Sequence, residues 1–138
     1  MANFSDTNLF LTSTGPVALT NRTSGIGYAA SASGGAVTQG TSRATAVTCT
    51  GMTGAITGYS AALASLATVA ITVNNTSVRT GDVVIVNHTS AGTIGAYMLT
   101  PNTIVDGTSF KINITNITGG SLTEAPVVSF AIIRAPRA

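Results

Sequence analysis

Apolar and polar residues alternate through much of the chain after Gly35, and a period of two predicts strands. Val69, Ile71 and Val73 fall on one side of such a run, with Ala70 and Thr72 on the other. Phe110, Ile112 and Ile114 repeat the pattern against Lys111, Asn113 and Thr115. The β-branched stretch Asp82-Val83-Val84-Ile85-Val86-Asn87 predicts another strand, and Val127 to Ile133 closes the chain as a mostly apolar one. Shorter candidates lie at Val37, Ala46-Val47 and Ala55-Ile56-Thr57. Ala96 to Val105 reads as a longer strand, but Pro101 cannot donate to a ladder, so an edge or a bulge is expected there. Tyr59 to Ala67 has enough Ala and Leu for a short helix and reads equally well as a loop.

Turn residues punctuate these runs. Asn74-Asn75-Thr76-Ser77 and Thr80-Gly81-Asp82 bracket a reversal, and Thr118-Gly119-Gly120-Ser121 breaks the chain before its last strand. Asp106-Gly107, set between two alternating runs, is the strongest hairpin signal. About eight short antiparallel strands at this spacing predict an all-β fold, a β-sandwich or jelly roll.

Residues 1–34 follow a different pattern. Phe4, Leu9, Phe10 and Leu11 are apolar anchors among Asn, Thr and Ser, Gly15-Pro16 marks a turn, and Thr20 to Gly35 is mostly small and polar. The expected organisation is an extended N-terminal arm over 1–34 and a β-domain over 35–138.

A length of 138 residues fits one such domain. The chain is 44% hydrophobic and only 7% charged, with a net charge of +2. So few cations, unclustered, cannot neutralise a run of phosphates, which argues against a nucleic-acid partner. High apolar content with low charge is also the reverse of the disordered signature. One cysteine cannot form an internal disulfide. No basic-then-apolar leader is visible, and the most apolar window, Ala61 to Val73, is interrupted by Ser65, Thr68 and Thr72 and is too short to span a bilayer. A charge-poor chain stays dispersed by coating itself with small hydroxyls and amides, or by being covered by partners, for which a closed homo-oligomer is the simplest route.

Candidate chemistry is sparse. His88 is the sole histidine; Asp82 is six residues away, about 20 Å along a strand, and Asp6, Asp106 or Glu124 could reach it only through the fold. The scattered His, Cys and carboxylates show no metal-ligand spacing, so neither a metal nor another cofactor is expected. Gly25-Ile26-Gly27-Tyr28-Ala29-Ala30 spells the dinucleotide fingerprint without a preceding strand or a following helix, and reads as a glycine linker. Cys49 has no basic neighbour in sequence and reads as a buried, inert thiol. Asn-x-Thr triplets such as Asn87-His88-Thr89 and Asn113-Ile114-Thr115 arise by chance in a chain this rich in both residues. Tyr28, Tyr59 and Tyr97 are the tyrosines on which a sugar could stack.

From Gly34 to Ala135 the sequence resembles a family of bacteriophage structural modules, the head decoration (cement) proteins and head- or tail-fibre domains. The residues carrying the resemblance are Gly34-Gly35-Ala36-Val37-Thr38-Gln39 with Ser42 and Thr45, Gly54-Ala55-Ile56-Thr57, Ala61-Ala62-Leu63-Ala64, Val69 to Asn75 and Asp82 to Asn87. The most specific part is the ending, Asn116 to Glu124 with Gly119-Gly120-Ser121-Leu122, then Val127 to Ile133. Pro126, and a Thr50 to Thr53 passage that reads as looser than usual, depart from the family pattern. The resemblance implies an all-β domain assembled as a homotrimer on the virion surface. The expected role is therefore structural rather than enzymatic. A decoration protein made in the host cytoplasm would sit on the outer surface of the phage head, with Phe4, Leu9, Phe10 and Leu11 anchoring its arm to the major capsid protein. No membrane or nucleic acid takes part in that role. The alternative is a fibre or receptor-binding module for host glycans.

Overall fold

The computed structural model describes residues 27–28 and 30–135, and the arm anchors Phe4, Leu9, Phe10 and Leu11 lie outside them. A 3-10 turn at Ala30–Ala32 leads into ten strands: β1 Ser33–Thr38, β2 Val47–Thr48, β3 Thr53–Thr57, β4 Ala61–Leu63, β5 Thr68–Asn74, β6 Val83–Ser90, β7 Tyr97–Val105, β8 Ser109–Asn116, β9 Leu122–Glu124 and β10 Val127–Ile133. They form one sheet in the order β1-β3-β10-β6, a second in the order β2-β5-β8-β7, and a small β4-β9 ladder.

The all-β, sandwich-like architecture expected from the alternation is what the chain adopts. The alternating positions supply its core. Ile56, Val84, Val128, Phe130 and Ile132 come from the first sheet, and Val47, Ile71, Val73, Phe110, Ile112 and Ile114 from the second, all buried in one cluster. Phe110 and Phe130 meet edge to face between the sheets, ring centroids 5.1 Å apart, a geometry that adds about 1 kcal/mol to their area burial.

The pairing differs from a purely antiparallel scheme. β1 runs parallel to β3, and β2 parallel to β5. The cause is connectivity: the chain leaves the first sheet after β1, adds β2 to the second, and returns to form β3. A strand that comes back after crossing to the opposite layer need not reverse as a hairpin strand does. Asp106-Gly107 makes the one pairing of consecutive strands among the described residues, β7 with β8, with Gly107 at φ +58°. Pro101 lies on β7, an edge strand, and the ladder shifts register just beyond it, between Asn102 and Val105. Tyr59 to Ala67 forms no helix; Ala61–Leu63 is β4.

Thr50 to Thr53 is not loose. Met52 donates to the Ala32 carbonyl (2.7 Å) and accepts from the Ile132 amide (2.8 Å). A Cβ on Gly51 would stand 2.3 Å from the Gly34 nitrogen, so only glycine fits this backbone crossing. Pro126 immediately precedes β10, where its missing N–H removes no ladder bond, and its carbonyl accepts from Gly58 (2.9 Å).

Candidate functional site

Three loops gather at one end of the sandwich: Ala64 to Ala67, Ala91 to Ala96 and Ile117 to Ser121. Backbone bonds tie them together. Asn116 donates to the Ala67 carbonyl (3.0 Å), and Ile117 to that of Ala96 (2.9 Å). Each loop projects one large apolar side chain into solvent: Leu66 (73% exposed), Ile94 (67%) and Ile117 (50%). Met98, one residue into β7, is also exposed.

Polar side chains beneath hold the loops in place. Asn116, fully buried, donates from Nδ2 to the Leu63, Ala64 and Gly120 carbonyls and accepts at Oδ1 from the Thr118 amide and hydroxyl. Arg43 is buried and donates to three carbonyls of the β4-β9 ladder, Ala61, Leu122 and Glu124. The Glu124 carboxylate accepts from the Thr93 amide (2.6 Å) and hydroxyl (3.2 Å) and from the Tyr97 hydroxyl (2.8 Å). Of these donors the Thr93 amide does most to hold Glu124 below the usual carboxylate range. Burial, with the neighbouring carboxylate second, pushes Tyr97 up to about 12.

Leu66 occupies the third position of the turn closed by the Ala67 amide on the Ala64 carbonyl, at φ +59°. Glycine or asparagine is the ordinary occupant there, and leucine costs about 1–2 kcal/mol. The side chain is exposed and contributes little to the core; Ala91 and Thr103 also have positive φ (+54° and +49°).

The remaining charges serve the fold. Asp82 pairs with Arg134 (2.6 Å), Arg79 donates to the Thr76 and Val78 carbonyls, and Asp106 accepts from the Thr80 amide (2.9 Å). On the outer face of the first sheet, Val83, Ile85, Asn87 and Thr89 of β6 lie beside Val127, Ser129, Ala131 and Ile133 of β10, with Thr53, Ala55 and Thr57 of β3 beyond, and none of these is ionised. Lys111 is the one ionised residue on the outer face of either large sheet among the described residues.

The structure separates the other sequence candidates. Asp82 is engaged by Arg134, Arg79 and Ala135, so it is not a partner of His88. His88 Nε2 lies 2.6 Å from the Ala91 carbonyl, its Nδ1 is buried with no described partner, and its ring meets Tyr97 edge-on. Cys49 is buried against Gly34 and Gly54, and burial raises its thiol. Tyr97 is buried and tied to Glu124, which removes it as a stacking platform; Tyr59 is half-buried and Tyr28 exposed. Gly27 and Tyr28 are followed by the Ala30–Ala32 turn and a strand, whereas Gly25, Ile26 and Ala29 of the glycine motif lie outside the described residues.

Sequence reasoning missed Leu66, Ile94 and Ile117. The available signal was a single large apolar residue inside each otherwise polar turn: Ser65-Leu66, Thr93-Ile94-Gly95 and Asn116-Ile117-Thr118. No family model, curated protein or solved structure matches the chain.

Proposed function

We propose that this chain is a virion structural protein: a capsid decoration (cement) protein that forms homotrimers on the outer surface of a phage head and stabilises the major capsid protein lattice. The observation that carries the reading is the loop end. Three anchored loops hold Leu66, Ile94 and Ile117 in water, Leu66 at a conformational cost, on a molecule whose described charges are nearly all engaged internally. Such a surface is built to be covered. Copies meet there around an axis, and the arms, through Phe4, Leu9, Phe10 and Leu11, grip the capsid. Three weak grips on one trimer give avidity without a strong single contact. The role needs no catalysis, cofactor, nucleic acid or membrane.

Light scattering on the purified chain and co-sedimentation with undecorated heads test this. The expected results are a mass three times the 13.7 kDa of one chain, and head binding that Phe10→Asp with Leu11→Asp abolishes without dissolving the trimer. A monomer that ignores heads overturns the reading. The alternative, a glycan-binding fibre module, would rest on Tyr28 and Tyr59; a glycan-array signal lost in Tyr59→Ala would favour it.

A further inference from the structure

Most open strand edges among the described residues are blunted. β1 loses register between Ser33 and Ala36, with Gly35 at φ +75°. β2 is two residues long. β7 carries Pro101 and shifts register beyond Asn102, with Thr103 at φ +49°. β4 and β9 are three residues each, and Arg43 occupies carbonyls of both. Short, kinked or proline-bearing edges resist pairing with further strands. β6, the remaining edge of the first sheet, is different. It holds eight residues, regular against β10 from Val83 to His88, with no proline, lysine, arginine or carboxylate.

The ladder shows which groups β6 presents outward. Ile132 donates its N–H to the Met52 carbonyl, on the β3 side. In an antiparallel ladder a residue's N–H and C=O point the same way, and those of its neighbours point the other way. Val84, opposite Ile132, therefore turns both groups away from β10, as do Val86 and His88, opposite Phe130 and Val128. Beside Val84 the edge borders a cavity of about 380 Å³ shared with Pro101 to Ile104.

We propose that β6 pairs with β6 of a second copy, antiparallel about a two-fold axis at Val86. The edge is its own complement in that register. Val86 faces itself and Val84 faces the partner's His88, so every outward N–H and C=O of these three residues finds a mate. No like charges meet, because the strand carries none. On the outer face Ile85 stands opposite the partner's Asn87, and the half-exposed Val83, Ile85 and Ile133 of the two copies join into one apolar surface. Each bond replaces one to water, and lost freedom opposes association, so the contact is weak between free molecules in dilute solution. It forms where copies are held side by side at high local concentration. It involves a different surface from the loop end and does not depend on it.

Two single-cysteine chains, Ile85→Cys and Asn87→Cys, mixed at high concentration under mild oxidation, test the register; the buried Cys49 is common to both. Opposed positions lie within disulfide reach and like positions are diagonal, so the mixed disulfide is expected to exceed either like-with-like product at least about fivefold. Equal yields of the three products overturn the proposal. No disulfide from folded chains leaves the edge to a strand of another protein and overturns it too. Val86→Pro, added to both chains, removes an N–H that points away from β10, and should lower the mixed yield at least about tenfold. An unchanged yield overturns the pairing; if the proline variant fails to fold, the product ratio decides. Leu66→Asn is expected to leave the ratio unchanged, which separates failure here from failure of the trimer.

Discussion

Arg134 reaches back from the end of β10 to Asp82 at the entrance of β6, Nη1 2.6 Å from Oδ2, and so ties the first sheet's closing strand to the crossover that feeds its edge. The carboxylate is 1% exposed and also accepts from the Arg79 and Ala135 amides (2.9 and 3.1 Å). The guanidinium is 38% exposed and donates as well to the Ser77 carbonyl (2.9 Å). The pair is therefore asymmetric. Asp82→Ala leaves the buried carboxylate site empty, strands two part-buried amides and is expected to cost about 3 kcal/mol, whereas Arg134→Ala, with water able to replace part of the guanidinium, should cost about 1–2 kcal/mol. Urea unfolding of both single variants and the double variant gives the coupling, expected near 1 kcal/mol. Equal costs for the two single variants would show that the Arg79 and Ala135 amides do not matter.

Asn75 does the same work without a charge. It is fully buried at the end of β5; its Nδ2 donates to the Cys49 and Gly51 carbonyls (both 2.8 Å), and its Oδ1 accepts from the Ser77 and Val78 amides. All four of its hydrogen-bonding positions are filled, so Asn75→Ala orphans four backbone groups at once. The expected loss is about 3–4 kcal/mol in chemical denaturation, near the upper end for a single substitution. Asn75→Asp keeps the shape but replaces two donors with acceptors facing carbonyls, and should be at least as damaging at neutral pH.

These two residues show where sequence reading stopped. Strands β5, β8 and β10 were legible because burial on one face forces alternation, and the alternation survives in Ile71, Phe110, Ile112 and Phe130. The Asp106-Gly107 hairpin and the Pro101 edge were legible because their chemistry is local. Asn75 reads as an ordinary turn residue and Asn116 as no more than the start of the closing stretch, since nothing in sequence says which carbonyls a buried amide will meet. The parallel pairing of β1 with β3 depends on a crossing between layers, which hydrophobic period cannot encode. The loop end was the least legible. Leu66, Ile94 and Ile117 are far apart in sequence and share a surface only after the β4-β9 ladder and Glu124 have drawn their loops together.

The contact between Glu124 and Tyr97 predicts how stability varies with pH. Tyr97 is raised from its usual 10 to about 12, so the folded chain holds this proton more tightly than the unfolded chain does. Its stabilisation is whole below pH 10 and is lost as the pH climbs toward 12. Glu124 lies below its ordinary 4.5, so its stabilisation is whole above that value and is lost as the pH falls through the folded pKa. Thermal melts followed by circular dichroism should show a plateau with a fall at each end. Tyr97→Phe is expected to reduce the alkaline fall, and Glu124→Gln the acid one. An alkaline limb unchanged in Tyr97→Phe would show that the hydroxyl does not titrate with folding.

Leu66 allows the fold and the proposed assembly to be pulled in opposite directions. At φ +59° its backbone suits asparagine better than leucine, and its side chain, 73% exposed, contributes little to the core. Leu66→Asn should therefore stabilise the isolated fold by about 0.5–1 kcal/mol. The same change removes one of the three apolar side chains at the loop end. Dissociation of the proposed trimer, followed by sedimentation at decreasing concentration, should then occur at a concentration at least about tenfold higher, the equivalent of about 1.4 kcal/mol. A gain in chain stability together with a loss of association cannot come from general damage to the fold. Ile117→Asn, at a position without a positive φ, provides the contrast: it should weaken association without the gain. If Leu66→Asn stabilises the chain and leaves its association unchanged, the loop end is not where copies meet.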